Sequence, residues 1–185
     1  MRFYPVSDDR VLQWSLSAKD GEYTRLWIEH GPEGVLAEYP QANPEPPETV
    51  TMVCDRSDRA ITFFNRPLGP RMLHHPAAFG HVYVGWSEQY RISLLGPAGD
   101  TVRVIERAQP RVSISDAEWV ESNSELEAFR LEFPSAGCEP RRFSRPRYKP
   151  AFANLLVDPD GNLWVEAIKD FGNVWEVFDD MGGLV

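Results

Sequence analysis

An all-β protein is expected from this sequence on three counts. Apolar residues fall in short runs rich in Val, Ile, Thr and aromatics, divided by 13 Gly and 16 Pro, the syntax of strands joined by turns. Aromatic residues make up 12 % of the chain, and large rings suit pleated, half-buried surfaces. An apolar run, an Asp/Gly turn and a second apolar run recur along the chain. Each such unit is a small antiparallel sheet that cannot bury both faces alone and must stack on neighbours.

The first and weakest copy is residues 12–16, a turn at Lys19-Asp20-Gly21-Glu22, and residues 23–28. A Pro-rich stretch, 40–47, is expected as an extended linker. The second copy runs from 49–54 through the turn Asp55-Arg56-Ser57-Asp58 to 60–64. Next come runs at 81–86 and 90–95, the turn Gly96-Pro97-Ala98-Gly99-Asp100, and an alternating strand over 101–106. From 115 to 133 the apolar period becomes helical, with Trp119, Leu126, Phe129 and Phe133 near one face. Ser115 and Glu118 have capping-box spacing, which makes Ser115 the expected N-cap. Glu121, Glu125, Glu127 and Glu132 form its acidic face, and an Arg/Pro-rich loop without periodicity follows over 134–150. The strongest hairpin signal is last. Leu155-Leu156-Val157 and Leu163-Trp164-Val165-Glu166-Ala167 flank Asp158-Pro159-Asp160-Gly161-Asn162, and Gly accepts the positive φ of a tight turn. A further strand over 174–178 and a turn over 179–183 complete the pattern.

The chain has 185 residues, 42 % of them hydrophobic, enough for one core-forming domain over 1–185. With 19 Lys+Arg against 28 Asp+Glu, the net charge is −9. That sign argues against general affinity for nucleic acid or anionic lipid. No apolar run approaches the ~20 residues of a membrane span, and the first nine residues lack the apolar stretch of a signal peptide. Two cysteines, Cys54 and Cys138, are too few for a disulfide framework or a four-ligand zinc site. Whether they pair is left open by the sequence.

The stretch Val82-Tyr83-Val84-Gly85-Trp86-Ser87-Glu88-Gln89-Tyr90-Arg91-Ile92 resembles a strand pair of bacterial six-bladed β-propellers, the group related to NHL and TolB-like propellers. Val104-Ile105-Glu106-Arg107, the capped helix, Lys149-Pro150, residues 155–165 and Trp175-Glu176-Val177-Phe178-Asp179 are similar in the same order. The resemblance covers residues 48–185 well and 1–47 loosely. It implies a propeller-like fold with an extracytoplasmic setting and carries no shared catalytic motif. A six-bladed ring needs roughly 250 residues at about 40–45 per blade. Setting the helix and loop aside, three to four antiparallel blades are expected here, a partial propeller with one inserted helix; a β-sandwich is the alternative. Such an open stack exposes sheet edges, so a homodimer, a covering protein partner or a truncated chain is expected.

Candidate chemistry is sparse. His74, His75 and His81 lie close in sequence, but adjacent strand residues point to opposite faces, and no carboxylate completes a ligand set. Asp158-x-Asp160-Gly161-Asn162 departs from a calcium loop, which has Gly at the sixth position and Glu at the twelfth. No metal or cofactor is expected. Arg141, Arg142, Arg145, Arg147 and Lys149 form the candidate binding segment, either docking an acidic partner or anion, or pairing with the chain's own acidic helix or forming a solvated face. The six Trp are expected to pack between sheets rather than to bind sugars. The expected function is a non-enzymatic binding or assembly module, acting through blade edges and the inserted helix and loop. The alternative is a metal-dependent hydrolase of the propeller lactonase type, for which Asn154, Asn173, Asp158 and Glu166 are suitable residue types.

Overall fold

The computed structural model describes residues 3–7, 9–19, 22–40, 50–56 and 60–185. Strands β1 (Phe3–Ser7), β2 (Arg10–Lys19), β3 (Glu22–Gly31) and β4 (Gly34–Pro40) form a first antiparallel meander. Strands β5 (Thr51–Arg56) and β6 (Ala60–Asn65) form a hairpin, and β7 (Met72–Pro76), β8 (Val82–Trp86), β9 (Arg91–Leu95) and β10 (Thr101–Glu106) a second meander. Helices α1 (Asp116–Ser122) and α2 (Ser124–Glu132) follow, then β11 (Gly137–Glu139), which returns to pair with β5. A last meander consists of β12 (Phe152–Val157), β13 (Leu163–Lys169) and β14 (Gly172–Phe178). The protein is therefore all-β with an inserted helical segment.

Alternation along the strands decides which sheets meet. In β8, Val82 and Val84 pack with Leu12, Trp27 and Leu95, toward the first meander. Tyr83 belongs instead to a cluster with Ile92, Ile105, Phe152, Leu163, Val165 and Phe178, toward the last meander. The β7–β10 sheet is thus covered on both faces, and the buried run Val82-Tyr83-Val84-Gly85 follows from that. Gly85 permits close approach: a Cβ there would lie 2.8 Å from Phe152 Cζ and 3.0 Å from the Arg91 carbonyl oxygen. In β13, Leu163, Val165 and Ala167 are buried while Trp164 is exposed, the period-2 signature of a sheet with one covered face.

The fourth sheet, ordered β11-β5-β6, carries its own core. Met52 and Cys54 face Leu126 and Phe143, with Trp119 and Phe129 packed against them. Phe64 meets Phe129 edge-on at 5.1 Å between centroids. The apolar face expected of the helical segment is thus the one that covers this sheet, while Glu121, Glu125, Glu127 and Glu132 are exposed.

The structure corrects several expectations. The single helix over 115–133 is broken into α1 and α2 at Asn123 (φ −96°, ψ 1°). The cause is local: the Asn123 amide and the Ser122 hydroxyl both donate to the Trp119 carbonyl, at 2.6 and 3.0 Å. Such side-chain bonds compete with the helical ladder, and the Asn123 N–H donates to Val120 instead. The loop over 134–150 contains a strand, β11, whose Cys138 lies directly opposite Cys54 and forms a disulfide with it. Strands β1, β4 and β7 are found where none was expected. The linker over 40–47 lies almost wholly outside the described residues, as do the tips of the turns at 20–21 and 57–59.

The capping box is formed as expected. The Ser115 hydroxyl accepts from the Glu118 N–H at 3.3 Å, and the Glu118 carboxylate accepts from the Ser115 N–H at 2.9 Å. Ser115→Ala is expected to cost about 0.5–2 kcal/mol in urea unfolding; an unchanged midpoint would show that the cap does not hold α1 in place.

Candidate binding site

A cavity of about 760 Å³ forms a cleft between the helix-covered sheet and the stacked meanders. Phe63, Trp86, Phe143 and Phe152 line it, with Ser122 and Glu125 contributed by the helices. One wall is the connection from β6 to β7, Arg66-Pro67-Leu68-Gly69-Pro70-Arg71. The Arg66 N–H donates to the Val50 carbonyl at 3.1 Å, and the Gly69 N–H donates to the Arg66 carbonyl at 3.3 Å. Leu68 adopts φ 52°, uncommon for a residue with a branched side chain. The Arg71 N–H donates to Ser87 Oγ at 2.9 Å and its guanidinium to the Ala153 carbonyl at 2.8 Å, tying the loop to β12. Arg66 Nε is fully buried and has no hydrogen-bond acceptor. Sequence reasoning passed over Arg66; the signal was the Pro-Leu-Gly-Pro loop that encloses it.

The Arg-rich segment is distributed rather than gathered. The Arg145 guanidinium donates to the Asp116 carboxylate and the Ile114 carbonyl, and the Lys149 ammonium to the Glu118 carboxylate. Two of the five cations thus pair with the first turn of α1, where negative side chains also favour the helix dipole. Arg147 lies over the Tyr148 ring at 5.2 Å from its centroid. Arg141 accepts from the Arg130 guanidinium through its carbonyl, while Arg141 and Arg142 remain exposed.

Hydrogen bonds from Lys149 first, then from the Ser115 N–H and hydroxyl, lower the Glu118 pKa to about 2. A carboxyl depressed in the folded state stabilises fully above its unfolded pKa and loses that contribution as pH falls through the folded one. Wild-type stability relative to Glu118→Gln is therefore expected to decline between about pH 4.5 and about pH 2. Parallel urea midpoints for the two proteins over that window would rule the pairing out.

A second polar cluster joins Tyr90, just before β9, and the segment after β10 to β13 and β14. The Tyr90 hydroxyl donates to Glu176 at 2.7 Å, and Arg107 and Lys169 pair with the same carboxylate at 2.9 and 3.0 Å. Gln109 accepts from Lys169 at 2.7 Å and donates to the carbonyls of Ala151 and Ile168. Burial raises the Tyr90 pKa, and the bond to Glu176 raises it further. Burial also pushes Glu176 up, but hydrogen bonds from Tyr90 and Lys169 and the charges of Lys169 and Arg107 outweigh it and hold the carboxyl low. The cluster keeps Tyr90 protonated and Glu176 ionised, which suits a clamp between sheets rather than proton transfer.

The remaining candidates take structural places. His75 is buried, with Nδ1 at 2.9 Å from the Pro76 carbonyl, and burial lowers its pKa. His81 contacts the Ala78 carbonyl at 3.1 Å, and His74 stands edge-on to Trp27 at 6.2 Å. Asp158 closes the hairpin turn, accepting from the Asn162 N–H at 2.8 Å, the Asn162 amide at 2.9 Å and Trp164 Nε1 at 2.9 Å. Asn154 and Asn173 both donate to Glu166 on the outer face of the last meander. Among the described residues, no three His, Cys, Asp or Glu side chains converge in a way that could hold a metal ion. Among the helices described, none is long and apolar enough to cross a membrane.

Compared with known proteins, the chain matches no family model, no curated protein and no solved structure.

Proposed function

We propose that the protein is a non-enzymatic assembly module, built as a partial propeller, that binds a second copy of itself through the outer face of β12–β14. The observation that carries this reading is the row of Leu156, Trp164 and Trp175, which are 48 %, 37 % and 42 % exposed. Register places them on one face: Leu156 opposes Trp164, and Trp175 opposes Glu166. The inner face of the same sheet buries an equivalent apolar row against β7–β10, so the outer face offers the same kind of contact to another sheet. A two-fold pairing is self-complementary, each copy's indoles meeting the other's aliphatic side chains. The sheet-on-sheet order supports the propeller reading, with β7–β10 in the middle. The Cys54–Cys138 disulfide supports an extracytoplasmic setting, because cytosolic thiols are kept reduced.

Light scattering across a dilution series tests the assembly. The expected mass at high concentration is twice that of the chain, falling to the monomer for the double variant Leu156→Ser, Trp175→Ser with its circular dichroism unchanged. A wild-type monomer at every concentration, or a variant as dimeric as the wild type, would overturn the reading.

A further inference from the structure

We propose that the cleft between the helix-covered sheet and the stacked meanders binds a small apolar carboxylate. Its head group meets the Arg66 guanidinium, and its body lies against Phe63 and Trp86. The Arg66 side chain makes no ion pair or hydrogen bond among the described residues, and its Nε is sealed from solvent without an acceptor. Arg66 is half-buried: the loop seals its Nε, while its other two guanidinium nitrogens are not among the buried unpartnered atoms, so its charge has no carboxylate partner among the described residues and faces the cleft. A carboxylate entering the cleft would meet the accessible nitrogens of that guanidinium and supply the charge partner that it lacks there.

The surrounding loop holds the guanidinium in place. A Cβ at Gly69 would lie 3.1 Å from Arg66 Nε, so glycine there leaves the group its space. Pro67 and Pro70 fix φ on either side, and Leu68 is held at φ 52°. Strain of this kind persists where the surrounding structure over-determines it, commonly at ligand sites. The cavity of about 760 Å³ falls within the roughly 300–1,000 Å³ usual for small-molecule sites.

Charge selects the ligand. The ionisable groups lining the cleft are Arg66, Arg71 and Glu125. Arg71 is engaged with the Ala153 carbonyl, and Glu125 lies exposed in the first turn of α2. The Ala153 carbonyl is neutral, so Arg71 keeps its charge, and two cations against one carboxylate leave a net single positive charge that complements one negative charge. A planar carboxylate fits a guanidinium edge through two parallel hydrogen bonds, whereas a dianion would exceed the net single positive charge of the cleft.

The test is calorimetric titration of the whole chain with octanoate and 2-naphthoate, each beside its neutral alcohol, octan-1-ol and 2-naphthalenemethanol. The expected result is saturable binding of at least one carboxylate, one per chain, about tenfold or more tighter than its alcohol. Arg66→Met should abolish that preference while leaving alcohol binding and the melting temperature in place. The wild-type preference for carboxylate over alcohol stands as a test even if the variant does not fold. No saturable binding of either acid, equal affinity for the alcohols, or a preference that survives in a folded Arg66→Met protein would overturn the proposal.

Discussion

Phe152→Ala is expected to lower the unfolding free energy by about 3–5 kcal/mol. Phe152 is fully buried at the junction of β7–β10 with the last meander. Its ring packs 5.9 Å from that of Tyr90 and fills the space that Gly85 leaves by lacking a Cβ. Removing the ring opens a cavity between two sheets held at a fixed spacing by neighbouring strands, so the site collapses poorly. Urea denaturation with an unchanged slope measures the loss, and a change below about 1 kcal/mol would mean that the two sheets do not meet there. The converse substitution gives an independent check. Gly85→Ala should itself cost about 1–3 kcal/mol by overpacking. Combined with Phe152→Leu the losses should fall short of additive, because each relieves the other's misfit.

Replacing both cysteines, Cys54→Ala with Cys138→Ala, is expected to cost about 4–5 kcal/mol, the loop-closure entropy that a long cross-link withholds from the unfolded chain. The two cysteines are 84 residues apart in sequence, and the link ties β11 and the helices back to β5. The loss should be uneven. Hydrogen exchange in α1, α2 and β11 should accelerate far more than in β8 or β13, whose packing involves neither sulfur. Two titratable thiols in the native protein, or a double variant as stable as the parent, would refute the cross-link.

The asymmetry between these two predictions reflects what could be seen beforehand. The strands around Phe152 lie in segments whose alternation is visible in order: Leu163, Val165 and Ala167 inward, Trp164 outward. The turn Asp158-Pro159-Asp160-Gly161 is equally local, with Gly161 at φ 88°. The Cys54–Cys138 pair depends instead on a three-residue strand inside a stretch without periodicity, too short to carry a pattern of its own. The break at Asn123 was hidden for a different reason. Trp119, Leu126 and Phe129 keep helical spacing across it, and only the side-chain bonds to the Trp119 carbonyl reveal the interruption.

The binding residues divide in the same way. Arg141, Arg142, Arg145, Arg147 and Lys149 are conspicuous because they are adjacent in sequence, and adjacency does not bring side chains to one place. Asp116 and Glu118 take two of them. Arg66 attracts no notice in the sequence, since its significance is its place beside the cleft without a side-chain partner among the described residues.

The all-β class, the hairpin at Asp158–Asn162, the Ser115 cap and the apolar side of the helical segment were all legible in local residue order. These rest on periods of two or about 3.6 residues and on turn chemistry, all interactions between near neighbours. Contacts between distant segments are what cover β7–β10 on both faces, bring Cys54 to Cys138, and place Arg66 beside a cleft with no side-chain partner among the described residues. Those outcomes join residues tens of positions apart, and their energies come from burial and charge pairing that no local pattern encodes.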